Sequence, residues 1–372
     1  MKLSLINLLR CPRSGSKLTC IPYKVLNETE VLDGVLKNQS GDTYILYKGV
    51  PKMLADGGLP EDFIANYRDR LLQDAPSLLS STQASETFSF SYQWSSHSYD
   101  DLTWELLVSE RVNIFYRYFG LTPEQAKGCR LLDAGCGNGT LSAHLAMEGF
   151  EVAALDYSES VYRAYQYKLF EGRVTNEVFD HLHYIQGDVQ HPPFEPGSFD
   201  LIYSDGVLHH TPDTKTSFMA LAPLVKPGGR FLLWVYRSDT KPMYKAKMKL
   251  IEWVRGLTKN FSYQNKMRLC YVGAVVILLG VRVGYLFGYK KRRLIPIRLK
   301  ATNLFDTIAP QFNYEHTPDE VIAWFKEAGY TDIKDASISD YRLSEGGFAI
   351  IGTRAEPKKD ELLATSAAST GT

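Results

Sequence analysis

Short apolar runs alternate with segments of helical length in the middle of the chain. The runs occupy residues 130–133, 151–155, 182–185, 199–203 and 230–236. Runs that are apolar throughout are typical of strands buried on both faces, and the segments between them are long enough for helices that connect parallel strands. The pattern therefore predicts an α/β fold in which helices cover both faces of a mainly parallel sheet.

The flanking segments have patterns of their own. Residues 1–60 mix short apolar runs with turn residues, which predicts a small β-rich unit. Apolar positions recur at helical spacing over 104–119, and residues 317–328 form an amphipathic stretch. The apolar runs 333–338 and 348–352 then predict a terminal pair of strands.

These patterns divide the chain into six regions. They are the β-rich unit 1–60, an aromatic lid with helices 61–125, the α/β core 126–237, a basic and apolar helical insertion 238–315, a terminal helix with strands 316–354 and a polar tail 355–372 that we expect to be disordered. The lid is a serine-rich stretch with the closely spaced aromatics Phe88, Phe90, Tyr92, Trp94 and Tyr99. We expect it to cover a ligand.

The overall charge and the cysteines narrow the class of protein. Among 372 residues, 42 Lys and Arg balance 42 Asp and Glu, so no chain-wide positive field exists to bind nucleic acid, and we expect no DNA partner. The 5 cysteines are scattered and odd in number, which favours reduced thiols. The first apolar stretch is too short for a secretory signal, so the sequence predicts a cytoplasmic location.

A glycine-rich turn follows the first core strand. Residues 131–140 read LLDAGCGNGT, and Gly135, Gly137 and Gly139 allow positive φ angles and a close approach of a ligand to the backbone. Such a turn can bind a dinucleotide, a phosphate or nothing. Its spacing differs from the dinucleotide fingerprint Gly-x-Gly-x-x-Gly, and no Walker lysine follows.

Acidic residues end the next two core strands. Asp156 stands about twenty residues after the glycine turn, where a carboxylate can accept hydrogen bonds from both hydroxyls of a ribose. Asp188 ends the third strand, where a carboxylate can accept a hydrogen bond from an adenine amino group. Since the carboxyl ends of parallel strands share one edge of the sheet, the sequence predicts a site for a ribose-bearing ligand.

Taken in order, these segments resemble the class I S-adenosylmethionine-dependent methyltransferases with a core of the methyltransferase type 11 kind. The resemblance rests on 131–140, on Asp156 and Asp188, on SDGVLHHTPD at 204–213 and on LVKPGGRFLLWV at 224–235. It implies a Rossmann-like, seven-stranded sheet whose last strand is antiparallel, with the final hairpin within 333–352. It also implies S-adenosylmethionine as the cofactor.

The resemblance implies a set of cofactor residues along that edge. They are Asp133, Gly135, Cys136, Gly137, Gly139, Asp156, Tyr157, Asp188, Val189 and Ser204, together with Trp94 from the lid. The glycine amides and Asp133 are expected to meet the carboxylate and the ammonium of the cofactor. Trp94 is expected either to stack over the sulfonium or only to fix the lid to the core.

Methyl transfer from a sulfonium needs a base only where the acceptor must lose a proton. The predicted catalytic residues are His209, His210 and Asp205, which end the fourth strand or follow it. Packing near the cofactor is the alternative role for the first histidine. Further candidates for the base are Tyr203, His97, Tyr99 and His316.

The N-terminal unit resembles the small zinc-ribbon-like methyltransferase activator Trm112 through residues 8–18 and 49–54. A structural zinc site of that kind uses paired Cys-x-x-Cys sequences. Here Ser14 stands where the second cysteine would be, Cys20 is displaced from Cys11, and no second pair follows. We expect a degenerate unit without a metal.

The insertion is basic and contains a long apolar run. Between 253 and 305 the chain has eleven Lys and Arg and no Asp or Glu, and residues 271–289 carry one charge, Arg282. The run is long enough to span a membrane, but a single crossing would separate the terminal strands from their sheet. We expect instead a helical cap over the active site, with 266–300 in peripheral contact with anionic lipid or an anionic substrate, residues 290–293 above all. A solvated basic face is the alternative.

The sequence thus predicts methyl transfer from S-adenosylmethionine to an oxygen, nitrogen or carbon atom of a small-molecule, lipid-linked or sugar-linked metabolite. Two alternatives stay open. One is an RNA methyltransferase that holds phosphates with the basic insertion, which ranks lower because no RNA-binding module is recognisable. The other is a catalytically silent subunit that binds the cofactor and activates a partner.

Overall fold

A computed structural model describes residues 1–54, 58–80, 102–103, 106–170, 180–240, 242–288, 295–338 and 346–356. Its strands are β1 (Thr19–Asn27), β2 (Glu30–Lys37), β3 (Thr43–Tyr47), β4 (Val50–Lys52), β5 (Leu102–Thr103), β6 (Leu106–Leu107), β7 (Arg130–Ala134), β8 (Glu151–Asp156), β9 (Leu182–Gln186), β10 (Phe199–Asp205), β11 (Val225–Tyr236), β12 (Tyr330–Asp335) and β13 (Gly347–Arg354). Its helices are α1 (Glu61–Asp74), α2 (Pro76–Ser80), α3 (Val108–Phe119), α4 (Pro123–Ala126), α5 (Thr140–Met147), α6 (Ser160–Phe170), α7 (Thr214–Leu221), α8 (Pro242–Thr258), α9 (Tyr263–Leu286), α10 (Ile297–Ile308) and α11 (Pro318–Glu327). The lid aromatics at 88–99, the basic residues 290–293 and residues 357–372 of the predicted tail lie outside the described residues.

The core sheet has the strand order β9-β8-β7-β10-β11-β13-β12. The first five of these strands are parallel, whereas β13 runs antiparallel to β11 and β12 antiparallel to β13. This is the Rossmann-like methyltransferase sheet that the sequence predicts, so the predicted fold is confirmed. The final hairpin is β12 and β13; β12 begins three residues before the predicted run 333–338, and β13 begins one residue before the predicted run 348–352.

The core strands are buried on both faces. Neighbouring residues of a strand point to opposite faces, and in β7 Leu131 packs with α5 residues such as Leu141, whereas Leu132 belongs to the cluster on the other face. Large aromatic side chains fill both layers; they include Phe115, Phe119 and Phe150 on one side and Phe199, Phe231 and Phe348 on the other. Burial on both faces explains why these strands are almost uniformly apolar in sequence.

The N-terminal unit is β-rich, as predicted, and it extends the core sheet. Strands β1 to β4 form an antiparallel meander, and Lys52 of β4 pairs in parallel with Gln186 of β9. The Tyr165 hydroxyl of α6 donates a 2.5 Å hydrogen bond to the buried Glu30 carboxylate, which ties the meander to the core. The resemblance of this unit to Trm112 stays a prediction.

Cys11 of the N-terminal unit is buried and belongs to a small polar group. Its Sγ lies 3.3 Å from the Tyr44 hydroxyl and 3.4 Å from an Asp42 carboxylate oxygen. Within the described part of the chain, no group of three or more His, Cys, Asp or Glu side chains could hold a metal ion.

The insertion is helical, as predicted, and its chain returns to the core sheet. Helix α9 packs along α10 through a cluster that includes Met267, Cys270, Ala274 and Phe305. After α10, the Tyr314 amide donates to the carbonyl of His209, and His316 forms a bridge with Arg237 beside β11. By length and composition α9 is apolar enough to cross a membrane, with a mean hydropathy of 2.0 over its most apolar window, of which 17% is buried. That property alone is weak evidence for a span, and the return of the chain to the same sheet is consistent with a cap.

Candidate active site

A cavity of about 340 Å³ lies at the carboxyl edge of the core sheet. The loops after β7, β8, β9 and β10 form its floor and sides, and α3 and the end of the insertion complete it. Open α/β sheets bind ligands at this edge, where strand order reverses on either side of the first core strand. The cavity is therefore the candidate active site.

The glycine turn is shaped for close backbone approach. Gly135 has a φ of 97°, and its amide and that of Cys136 donate hydrogen bonds to the Leu155 carbonyl of β8. A Cβ at Gly135 would lie 2.2 Å from a methyl carbon of Val207. Only glycine fits this position, and the backbone of Gly135 and Gly137 together with Cys136 lines the cavity.

Gly139 has a different place in the same turn. It precedes α5 with a φ of 70°, and a Cβ there would lie 2.5 Å from the ring of Tyr184. It does not line the cavity among the described residues. Its contribution is to allow the tight entry into α5.

Asp156 lies directly beside the glycine turn and lines the same cavity. Its Oδ2 accepts from the Gly137 amide at 2.7 Å, and its Oδ1 accepts from both the amide and the hydroxyl of Ser158, at 2.8 and 2.6 Å. A carboxylate offers about four acceptor positions. Three are used within the protein, so the predicted bonds to two ribose hydroxyls reduce to one unless Ser158 moves. Burial raises the pKa of Asp156, and the Ser158 and Gly137 donors oppose that shift.

The adenine side of the cavity holds the predicted Asp188, Val189 and Tyr157. Asp188 accepts from the Gln190 amide at 2.8 Å, which fixes its carboxylate at the cavity wall. Tyr157 lies next to Asp156 and is 48% exposed, so its ring is accessible to a ligand. All three line the cavity, and their predicted contact with an adenosyl group stays a prediction.

Besides Gly139, two predicted cofactor residues do not line the cavity among the described residues. Asp133 is buried behind the glycine turn and accepts a 2.6 Å hydrogen bond from the Ser142 hydroxyl of α5. Burial raises the pKa of Asp133 to about 6, partly opposed by Ser142 and by Arg111. Ser204 is fully buried and donates to the Ala134 carbonyl. Both residues hold the ends of strands in place, and the expected contact of Asp133 with the cofactor ammonium is not supported by this geometry.

The two histidines after β10 have different surroundings. His209 is completely buried, its ring centroid is 4.0 Å from that of Tyr236, and neither ring nitrogen has a hydrogen-bond partner among the described residues. Burial lowers the pKa of His209 well below its usual value. It therefore has the packing role that was the alternative, and the prediction of a catalytic His209 is not supported.

His210 does line the cavity. Its Nδ1 lies 3.0 Å from the carbonyl oxygen of Phe312. A carbonyl only accepts, so Nδ1 carries the proton and the neutral ring has its lone pair on Nε2. Burial lowers the pKa of His210 to about 4, although the bond to Phe312 opposes that shift. The ring is neutral at physiological pH and can accept a proton.

Asp205 is the third predicted catalytic residue, and it also lines the cavity. Its carboxylate accepts a 2.6 Å hydrogen bond from the Tyr203 hydroxyl. Burial raises the pKa of Asp205, whereas Tyr203 and then Arg111 lower it. Tyr203 and His316 do not themselves line the cavity among the described residues.

The cavity includes residues that the sequence analysis did not single out. Arg111 reaches it from α3, Asp306 from α10, and Phe312 from the segment after α10. Arg111 is the only Lys or Arg among the described lining residues. Trp94, His97 and Tyr99 lie outside the described residues, so their predicted roles stay predictions.

Known proteins are similar to this chain mainly over its core. Residues 132–233 match the family model described as a methyltransferase domain. A ubiquinone biosynthesis O-methyltransferase of Pectobacterium carotovorum is 32% identical over 148 residues, which are 39% of this chain and 59% of the relative. A demethylmenaquinone methyltransferase of Lactococcus lactis is 33% identical over 127 residues, 33% of this chain and 48% of the relative. The chain thus spans about half the length of these relatives.

Solved structures of methyltransferases are similar over larger shares of the chain. A magnesium protoporphyrin IX methyltransferase from Synechocystis is 18% identical, with 67% of this chain and 84% of that chain covered and a TM-score of 0.38. A phosphoethanolamine N-methyltransferase 2 of Haemonchus contortus is 16% identical, with 84% and 63% covered and a TM-score of 0.42. The fold assignment rests on the strand order of the sheet and not on these TM-scores. The family match over 132–233 supports the predicted methyltransferase core, and S-adenosylmethionine as its cofactor stays a prediction.

Proposed function

We propose that this chain, whose residues 132–233 form a methyltransferase domain, transfers a methyl group from S-adenosylmethionine to a small-molecule acceptor. One observation carries the proposal: the glycine turn, Asp156 and Asp188 line the same cavity as Asp205 and His210. A cofactor beside the acids therefore has its methyl group within the same cavity as two groups that can accept a proton.

The residues of the wall suit each part of this cofactor. Gly135 leaves room for backbone contact, and Asp156 has one acceptor position left for a ribose hydroxyl. Arg111 is positioned on the cavity wall to pair with the carboxylate of the amino-acid part. The bound cofactor supplies an activated methyl group on a sulfonium, and the protein's task is to hold the acceptor in line with it.

His210 has the proton-accepting role for an oxygen or nitrogen acceptor. The acceptor's lone pair forms the new bond to the methyl carbon while the bond from that carbon to sulfur breaks, and S-adenosylhomocysteine is left. The proton of the acceptor moves to Nε2 of His210, whose ring is held by Phe312. Asp205 is the alternative base in the same cavity.

We propose a small lipophilic acceptor of the quinone-precursor kind, either free or linked to a lipid or sugar. The names of the relatives, in ubiquinone and menaquinone biosynthesis, support that class. The lining of the cavity includes the apolar Phe312 and Pro212 and the carboxylates of Asp205 and Asp306. Two carboxylates there disfavour an RNA backbone, because like charges repel. We place this activity in the cytoplasm, with peripheral membrane contact through 266–300.

Product formation tests this proposal. Purified chain is incubated with S-adenosylmethionine and either a dihydroxybenzoate-type or a hydroquinone acceptor, and S-adenosylhomocysteine is quantified. We expect turnover that His210→Asn reduces by about a hundredfold or more. Binding of the cofactor without turnover, even with whole lipid extracts as acceptor, would instead favour the silent subunit.

A further inference from the structure

The outer surface of the insertion is unusually apolar for a surface in water. On α8 the exposed apolar side chains are Leu250, Trp253 and Leu257, and on and just after α9 they are Leu269, Val272, Val275, Val276, Leu279, Val283, Leu286 and Phe287. Soluble proteins rarely expose contiguous apolar patches beyond a few hundred Å², and larger ones mark interaction sites. We call these residues the outer surface of α8 and α9.

Each helix has a second side that is packed. Ile251 and Val254 of α8 pack against the cluster of Met267 and Phe305, which leaves Leu250 and Trp253 outside. In α9 the buried apolar positions recur every three or four residues and end at Leu278. Each helix thus packs apolar side chains on its inner side and exposes further apolar side chains on its outer side. Packing within the described fold does not account for the exposed ones.

The end of α9 is the most exposed part of this surface. Leu278 packs with Ile295 and Leu299 at the start of α10. Beyond Leu278 no residue of α9 is buried, and Leu286 and Phe287 are 83% and 80% exposed. An exposed apolar helix end of this kind can enter the boundary between lipid headgroups and acyl chains.

The charges around this surface are mainly basic, with the exposed Glu252 of α8 as an acidic exception. From 253 to 305 the chain has basic residues and no acidic ones. Lys259, Arg268, Arg282 and Arg298 are exposed. A basic surface with apolar and aromatic side chains is complementary to an anionic bilayer, which attracts the cations and takes up the apolar groups.

Helix α10 links this surface to the cavity. Phe305 packs against α9, and the next residue, Asp306, lines the cavity. Arg255 of α8 donates a 2.7 Å hydrogen bond to the carbonyl of Pro310, just before the lining residues Gln311 and Phe312. The helices that carry the apolar surface therefore also hold these lining residues of the cavity in place.

From these contacts we infer that the outer surface of α8 and α9 docks on an anionic lipid bilayer and that the acceptor is a lipid-anchored molecule taken from it. The second half of this inference rests on the proposed function. The surface includes Leu250, Trp253 and Leu257 of α8, beyond the segment expected from the sequence. The bilayer is favoured over a protein partner because both helices expose apolar side chains together with basic ones and because the last apolar residues, Leu286 and Phe287, are the most exposed of all.

Vesicle flotation of the full chain tests the docking. Vesicles are made of phosphatidylcholine alone or with phosphatidylglycerol. The variant Val276→Glu, Val283→Glu, Leu286→Glu changes exposed side chains and should keep its melting temperature. We expect the intact chain to float with the anionic vesicles, and the triple variant to lose about tenfold or more of its partition coefficient. Arg268→Gln with Arg282→Gln should weaken binding to anionic vesicles only.

The matched control is Val25→Glu with Leu26→Glu, two exposed apolar residues of β1 that are 58% and 48% exposed. It should float like the intact chain. Equal flotation of the triple variant would overturn the inference. So would a chain that ignores both vesicles but changes from oligomer to monomer, by light scattering, in the triple variant, since that identifies a protein interface.

Calorimetry with S-adenosylhomocysteine keeps the two proposals apart. Flotation without binding of this compound would leave the docking surface standing and remove the proposed function. Binding of this compound without flotation would leave the proposed function standing and remove the docking surface. Where both occur, we expect an acceptor with an isoprenoid tail, presented in vesicles, to be methylated faster by the intact chain than by the triple variant, and a tail-less soluble acceptor to be methylated equally by both.

Discussion

Nδ1 of His210 lies 3.0 Å from the carbonyl oxygen of Phe312. The two residues are far apart in sequence, one after β10 and the other near the end of the insertion. Their hydrogen bond fixes the ring so that Nε2 is the proton acceptor, and it makes the orientation of the base depend on the insertion.

Replacement of His210 separates catalysis from binding. His210→Asn is expected to lower kcat by 10² to 10⁴ with an oxygen acceptor, the usual contribution of a positioned base, and to leave the affinity for S-adenosylhomocysteine unchanged. Steady-state kinetics and calorimetry check this. His209→Asn is the control: it alters a buried packing residue, so its effect should appear in the melting temperature. A kcat unchanged in His210→Asn would transfer the role of base to Asp205.

The same histidine predicts a pH dependence of stability. The pKa of His210 is lowered by burial to about 4, below its usual 6.5, so the unfolded chain binds the proton more readily than the folded one. The stability that this group contributes is complete above pH 6.5 and is lost as the pH falls through 4, to a total of about 3 kcal/mol. Urea unfolding of the intact chain and of His210→Asn at several pH values should show a difference that changes in that window. A difference constant with pH would contradict the burial of a neutral ring.

Arg111 and Asp156 are expected to recognise different parts of the cofactor. Arg111→Gln should cost about 1.5 to 3 kcal/mol of binding free energy for S-adenosylhomocysteine, the value of a hydrogen bond to a charged group, and nothing for adenosine, which has no carboxylate. Asp156→Ala should weaken both compounds, by about 2 to 3 kcal/mol. Calorimetric titration of each of the two variants with each of the two compounds measures these losses. Equal losses for adenosine in both variants would remove the assignment of Arg111.

The glycine turn predicts an effect of a single methyl group. Gly135→Ala places a Cβ against Val207 at a φ of 97° and should destabilise the fold by about 1 to 3 kcal/mol while weakening the cofactor. In Gly135→Ala with Val207→Ala the two closest contacts, with the Val207 methyl groups, are removed, whereas the contact with the Val207 Cβ at 2.8 Å and the φ angle stay, so only part of the loss should return. Thermal unfolding of the single and double variants measures both parts. Complete recovery would mean that the clash alone excludes alanine.

The sequence was sufficient for the parts of the site that lie on consecutive strands. Apolar runs marked the strands, and residues directly after them, such as Asp156, Asp188 and Asp205, reach the cavity because parallel strands end at one edge. Asp133 shows the limit of that reasoning. It is two residues after Leu131, so strand alternation directs it to the face covered by α5, where Ser142 binds it.

Residues from outside the core could not be found in this way. Arg111 and Asp306 are polar positions on helices, and helical periodicity identifies the apolar side of a helix but not which polar residue meets a distant cavity. His209 and His210 are neighbours in a short 3-10 turn, so they point in different directions and only one reaches the cavity. His209 packs against Tyr236, so His210 is the histidine that reaches the cavity. No local sequence pattern shows that contact.

Calorimetric titration of the purified chain with S-adenosylhomocysteine decides whether the cavity is a site for an adenosyl amino acid. We expect one molecule bound per chain, with the affinity weakened in Asp156→Ala and Gly135→Ala and unchanged in His210→Asn. No heat of binding for this compound, or an affinity that Asp156→Ala leaves intact, would contradict the reading of the cavity as a site for an adenosyl amino acid.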